Sequence, residues 1–244
     1  MDDLTLTTKY EVSSAETDMF GRMRLSAFTN LLIQSAIKSA DSLGFGWKGM
    51  NEQQLFWVLS RITVQISKMP KWYDKISIET WPKDIHKILY LRDYFVRDAD
   101  DNIIAKATSA WLALDYKTHR PKHVSSEYIG QFTLLKDKHA IVTLPEKLPE
   151  TEGEIVNEIN TDYFDIDMNK HVTSTRYIDW MTNTFSPEFH ETNSVRSLSM
   201  NYMKETSLGS TISLAKEQSE KNQYHFEGKN IQANSIAFRG KLVY

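Results

Sequence analysis

Between Leu25 and Leu43 the apolar positions Leu25, Phe28, Leu32, Ala36 and Leu43 recur at helical steps, a spacing that predicts a helix with one buried face. A second amphipathic run, Val172 to Phe185, predicts another helix. After each run the period falls toward two and β-branched and aromatic residues accumulate. Strands are predicted over Leu55 to Ser67, Lys75 to Trp81, Ile88 to Arg97 and Ile103 to Tyr116, and again over Val195 to Met203, Ser210 to Glu217, Gln223 to Lys229 and Ser235 to Val243. Met69-Pro70, Asp98 to Asn102, Leu208-Gly209 and Ser219 to Asn222 supply turns. A long helix followed by consecutive antiparallel strands, twice over, predicts an α+β layered fold with each helix packed against sheet.

The halves share a motif as well as an outline. Asp18-Met19-Phe20-Gly21-Arg22 aligns with Asp167-Met168-Asn169-Lys170-His171 at one constant offset (167 − 18 = 149; 171 − 22 = 149), and each pentapeptide precedes an amphipathic run. Two copies of one unit are the economical interpretation. The reading divides the chain into an N-terminal domain over 1–124, a connector over 125–154 and a C-terminal domain over 155–244. The connector carries Phe132, Leu134 and Leu135 in its apolar middle, so it is expected to pack across the domains and not to hang as a free linker.

Asp167, Asn169 and His171 put a carboxylate, a carboxamide and an imidazole at alternate positions, from which all three can reach one small volume. Asp and Asn are also the usual residues of turns and helix caps, so spacing alone does not separate chemistry from capping. Thr173 and Ser174 lie nearby, but no GxSxG elbow is present, which leaves water as the simplest nucleophile. Asn169 is a poor transition-metal ligand and no His-rich spacing accompanies His171, so no metal is expected.

Composition narrows the classes further. The 244 residues are 41% hydrophobic, ample for a shared core. There is no cysteine, which excludes disulfides, thiolate nucleophiles and Cys-type zinc sites. A net charge of −3 without a long basic stripe argues against nucleic acid, and no GxGxxG or Walker loop points to a nucleotide cofactor. Met1-Asp2-Asp3 lacks the regions of a signal peptide and no run reaches membrane-spanning length, so a soluble cytoplasmic protein is expected.

Asp167-Met168-Asn169-Lys170-His171-Val172, followed by Arg176-Tyr177-Ile178, resembles the catalytic segment of the acyl-ACP thioesterases, known best from plant plastids and also present in bacteria. Asn201-Tyr202-Met203-Lys204-Glu205 resembles the second catalytic segment, with a glutamate 34 residues after the histidine (205 − 171 = 34). Phe56 to Arg61, Glu79-Thr80-Trp81-Pro82 and Thr108 to Trp111 extend the likeness over nearly the whole chain. The resemblance implies a tandem hotdog fold, each unit a long helix wrapped by antiparallel sheet. It also implies hydrolysis of the thioester between a fatty acyl chain and acyl carrier protein, without a cofactor. It carries over Asp167, Asn169, His171 and Glu205 as catalytic residues, while the first copy, with Phe20 and Arg22, lacks the reactive pair. Thr206 follows Glu205 where the plant enzymes commonly carry a cysteine, so a thiol there is not essential if this chain is active.

In such a site Asp167 is expected to orient His171, Glu205 or His171 to take a proton from water, and Asn169 to hold that water or donate to the oxyanion. Phe20, Phe28, Phe56, Trp57 and Trp81 are candidates to line the acyl tunnel, although apolar side chains at these periods also build ordinary core. The carrier protein is acidic. Candidates to steer it are Lys83, Lys87, Arg92, Lys170, Arg176, Lys204 and the Lys117 to His123 segment. An acyl-CoA hydrolase, a hydratase-type hotdog enzyme and a non-catalytic acyl-binding module are the alternatives. A tandem chain can satisfy hotdog pairing internally, so a monomer or a homodimer is expected.

Overall fold

The computed structural model describes residues 4–244, so Met1-Asp2-Asp3 lies outside the described residues. The first half holds β1 (Leu6–Glu11), α1 (Leu25–Ser42), α2 (Trp47–Glu52), β2 (Leu55–Ile66), β3 (Lys75–His86), β4 (Leu89–Arg97), β5 (Ile103–Asp115) and α3 (Ser126–Thr133). The second holds β6 (Glu154–Asn160), α4 (Arg176–Thr182), α5 (Pro187–Thr192), β7 (Ser197–Tyr202), β8 (Thr211–Glu220), β9 (Gln223–Asn230) and β10 (Ser235–Val243). The ten strands form one antiparallel sheet in the order β1-β3-β4-β5-β2-β7-β10-β9-β8-β6. Read from either end, that order is the same five-strand unit. The units join through β2 and β7, where Ile62 faces Met200 and Val64 faces Leu198, so each covers an edge the other would leave open.

The predicted apolar stripe of α1 is its buried face, with Phe28 and Leu32 fully inaccessible against the sheet. Burial of a side chain of this kind stabilises by about 1.5–3 kcal/mol. Small polar residues on the same face fasten the helix: Ser35 bonds the Thr8 and Tyr10 hydroxyls of β1, and Ser39 accepts from Arg92 of β4. The second helix is shorter than the run that predicted it. Pro187 cannot continue a helix from the preceding turn and pushes Ser186 into extended backbone, so α4 ends at Thr182 and α5 begins afresh with Pro187 at its start.

β3 runs five residues past its predicted end at Trp81. Pro82 is tolerated there because β1 pairs with β3 only as far as Thr80, and a register shift between Pro82 and Asp84 absorbs the missing donor. Arg92 and Tyr94 of β4 turn toward α1, so alternation puts Asp93 on the opposite face. The chain between α3 and β6 crosses that opposite face. Asp93 Oδ2 accepts the Ala140 N–H at 2.7 Å and pairs with Lys83 Nζ at 3.2 Å, both side chains buried. Further on, Glu146 N–H donates to Thr63 of β2, Asn201 of β7 bonds the backbone of Glu146 and Leu148, and Arg239 of β10 pairs with Glu150. The segment is a strap across both units. No helix among the described residues is long and apolar enough to cross a membrane.

Candidate active site

The Asp167 turn is built by its backbone. Asp167 N–H donates to the His171 carbonyl at 2.8 Å and Lys170 N–H returns to the Asp167 carbonyl at 3.0 Å, with Lys170 in the left-handed region at φ 66°. Asp167 Oδ1 accepts the Asn169 N–H at 2.8 Å and the His171 N–H at 3.4 Å. Its carboxylate therefore shapes the turn and makes no bond to the imidazole ring, which differs from the expected tautomer-fixing role. Asp18 does the same in the first copy, accepting the Phe20 and Arg22 N–H groups at 2.8 and 3.0 Å, with Gly21 at φ 72°. The aspartate common to both copies thus accepts backbone N–H groups of the same turn in each.

Val172 N–H donates to the Thr206 carbonyl at 2.8 Å, and His171 bridges to Ser207, so the turn is clipped to the loop that follows β7. That clip brings Glu205 beside His171, with Oε2 and Nε2 3.3 Å apart. Both side chains reach solvent, 33% exposed for His171 and 45% for Glu205, and Asn169 is exposed with no side-chain partner among the described residues. The two groups are in contact but not aligned as a hydrogen bond, as is common before a substrate tightens a site. Beneath them Tyr177 of α4 is buried. Burial pushes its phenol up to about 12, with the Asp167 and Glu205 carboxylates adding to the rise and Thr206 opposing it, so it stays neutral through the working range.

The same clip exists in the first copy. Met23 N–H donates to the Pro70 carbonyl at 2.7 Å, and Val12 and Thr161 donate to Asp74 and Ser210 in matching positions. The turn and the loop thus follow different offsets (172 − 23 = 149; 206 − 70 = 136), which makes Met69 the counterpart of Glu205 (205 − 136 = 69). Sequence alignment at a single offset misses Met69, because the second copy is thirteen residues shorter between turn and loop (149 − 136 = 13).

The candidate tunnel residues do not come together. Trp57 lines an apolar cavity between α1 and the sheet, while Phe20 lines a different one beside Arg22, Met69 and α4. Neither cavity includes Asp167, Asn169, His171 or Glu205 in its wall. Phe28 is core beneath α1, and Phe56 packs on Tyr116 and His119. Trp81 is fully buried on the strap side, its indole N–H donating to the Lys138 carbonyl under the Lys138 ammonium. Three of the steering candidates are already engaged within the fold. Lys83 and Arg92 are buried, and Arg176 is held by Asp165 and Asp179 at 2.8 and 2.9 Å. Lys170 and Lys204 are exposed, each next in sequence to a member of the His171–Glu205 pair.

Comparison with known proteins gives the family of the chain. The acyl-ACP thioesterase N-terminal domain matches residues 3–132 and the acyl-ACP thioesterase C-terminal domain matches residues 149–240. The chain belongs to the acyl-ACP thioesterase family. It is similar to oleoyl-acyl carrier protein thioesterase 2 of Arabidopsis thaliana, 26% identical over 84% of this chain and 60% of the plant protein. An acyl-[acyl-carrier-protein] hydrolase of Cuphea viscosissima is 27% identical over 86% of this chain and 54% of its own length. The chain therefore spans little more than half of these relatives. Among solved structures, an acyl-ACP thioesterase from Bacteroides thetaiotaomicron superposes with a TM-score of 0.92 at 27% identity, covering 99% of this chain and 98% of the other. The 12:0-ACP thioesterase of Umbellularia californica shares the fold, with a TM-score of 0.84 at 21% identity over 98% and 96% of the two chains.

Proposed function

We propose that the chain hydrolyses the thioester between a fatty acyl group and acyl carrier protein, releasing free fatty acid. The observation that carries this reading is the His171–Glu205 pair, 3.3 Å apart and solvent-accessible, on a chain of the acyl-ACP thioesterase family. A water molecule held by Glu205 and His171 gives up a proton to this pair as its oxygen attacks the thioester carbonyl carbon. The carbon–sulfur bond then breaks, and the sulfur of the carrier's prosthetic arm takes the proton back. Asn169, whose side chain has no partner among the described residues, donates to the oxyanion that forms between these steps. Asp167 acts through the backbone, by holding Asn169 and His171 on one turn.

Lys170 and Lys204 flank the pair and suit an acidic carrier protein. The internal β2–β7 pairing supports a monomer, and a cytoplasmic setting goes with a cysteine-free chain. The test is release of free fatty acid from a panel of acyl-ACPs, with matching acyl-CoAs alongside, by the native protein and a folded Glu205→Ala variant. Hydrolysis of acyl-ACP that the variant loses is the expected result. Cleavage of the CoA esters alone would make it a CoA enzyme, and cleavage of neither would leave a binding module.

A further inference from the structure

Among the described residues Arg92 is a charged side chain without a counterion. It is 5% exposed and lines the apolar cavity that Ala36, Ala40, Trp57, Leu91 and Phe132 also wall. Its Nη1 donates to Ser39 Oγ at 2.9 Å and to Thr80 Oγ1 at 3.2 Å, which uses two of the five guanidinium donors. Nε and Nη2 donate to no group among the described residues, and no carboxylate there pairs with Arg92; the adjacent Asp93 lies on the other face with Lys83. Burial draws the guanidinium down to about 10, so it remains charged at neutral pH. Fastening α1 to β4 needs only the bond that Nη1 makes to Ser39, and its second bond reaches Thr80 of β3. The donors to spare take their acceptors from outside the chain, from water in the cavity or from the polar end of a ligand that displaces it.

The cavity measures about 60 Å³, space for roughly four water-sized groups, so it takes the end of a chain and not its whole length. The repeat implies a route to it from the reacting pair. The first copy's turn shares a cavity with Arg176, Asp179, Thr182 and Asn183. Applied to that cavity, the 149-residue offset maps Arg176, Asp179, Thr182 and Asn183 onto Ala27, Asn30, Ile33 and Gln34 of α1, the face the repeat turns toward the Asp167 turn. From Gln34 the cavity residues Ile37 and Ala40 follow within two helical turns, about 5–9 Å at 1.5 Å per residue.

We propose that Arg92 makes this cavity a subsite for an oxygen-bearing chain end, a terminal hydroxyl or oxo group, and that the protein selects such acyl chains over methyl-ended ones of equal length. The selection rests on the thioesterase reading; the binding does not. A methyl end seals the guanidinium away from water with three donors unmet, whereas a terminal oxygen accepts from it.

The test compares pairs of acyl-pantetheines, terminally hydroxylated and plain, over a ladder of chain lengths, with the thioester replaced by an amide so that nothing is cleaved. Calorimetry on the native protein should show the hydroxylated partner binding at least about tenfold tighter at the best-fitting length, the effect of one charge-assisted hydrogen bond. In Arg92→Met the preference should vanish or reverse, and Arg92→Lys should restore part of it. The native comparison decides even if Arg92→Met fails to fold. Equal binding of the two series, or tighter binding of the plain one at every length, overturns the proposal. Hydrolysis of the matching acyl-ACPs separates the two readings. Cleavage without preference sinks the subsite alone, and preferential binding without cleavage sinks the thioesterase alone.

Discussion

Met69 and Glu205 hold equivalent positions in the two halves of the sheet, each just before the residue whose carbonyl accepts the N–H that clips the turn in place, Pro70 from Met23 and Thr206 from Val172. A thioether stands on one side where a carboxylate stands on the other. Arg22→Ala and Met69→Ala should therefore leave turnover unchanged, while Glu205→Gln lowers kcat by about 10²–10⁴-fold with the melting temperature preserved, because Glu205 is exposed. Steady-state hydrolysis with parallel thermal melts checks this. Equal losses from the two sides would contradict the assignment.

The turn geometry separates two roles for Asp167. Its Oδ1 accepts backbone N–H groups, an office that an asparagine oxygen can also fill. Asp167→Asn should keep most of the activity, and Asp167→Ala should lose it along with about 0.5–2 kcal/mol of stability, as for a lost cap. If Asn is as damaging to kcat as Ala, the negative charge acts on the imidazole after all.

Lys83 and Asp93 form a buried pair under the strap. Lys83→Met strands the Asp93 carboxylate and should cost about 3–5 kcal/mol in urea unfolding. The double variant Lys83→Met, Asp93→Leu should recover part of that loss, although the Ala140 N–H then lacks its acceptor. A double variant no more stable than the single one would show that the strap needs the carboxylate more than the charge balance.

Gly228 and Gly240 sit where side chains from neighbouring strands close over the backbone. A Cβ at Gly228 would lie 2.1 Å from the Phe238 ring, and one at Gly240 would lie 2.1 Å from Met181 Sδ. Either alanine substitution should destabilise by about 1–3 kcal/mol through overpacking, with the methionine site the more forgiving because its side chain can swing aside. Denaturant midpoints at constant m-value are the measurement.

Burial, aided by the Lys241 ammonium, holds the His225 imidazole below its ordinary value. The unfolded chain then binds the proton first, so this residue's contribution to stability is complete above about pH 6.5 and is lost as pH falls toward the depressed native value. His225→Gln should flatten the decline in melting temperature between about pH 7 and 5. Parallel curves for the two proteins would remove His225 as a source of acid sensitivity.

Where the sequence misleads, the missing information is tertiary. The stripe from Leu25 to Ala36 needs only local periodicity, and α1 follows it. Pro82 reads as a strand end, because nothing local says that β1 stops at Thr80 and leaves that edge free. β1 and β6 escape a pattern search since they are outer strands, and β6 is almost wholly exposed, with no alternation to detect. Trp81, Lys83 and Arg92 are ordinary by type, an aromatic and two cations. Only the strap on one face and α1 on the other make them buried anchors. The Asp167 turn was legible as a motif, whereas its partner Glu205 came from family likeness, because a contact across 34 residues has no local signature.

The continuous sheet has one more implication. Two separate subunits paired through β2-like edges would come from one gene, so any substitution in one turn would appear in the other. Joining both units in a single polypeptide removes that coupling. Phe20, Arg22 and Met69 could replace polar groups on one side while Asn169, His171 and Glu205 stayed on the other. The fused sheet thus permits a division of labour that symmetry forbids, with the proposed reacting centre on one flank and the other flank free to become wall.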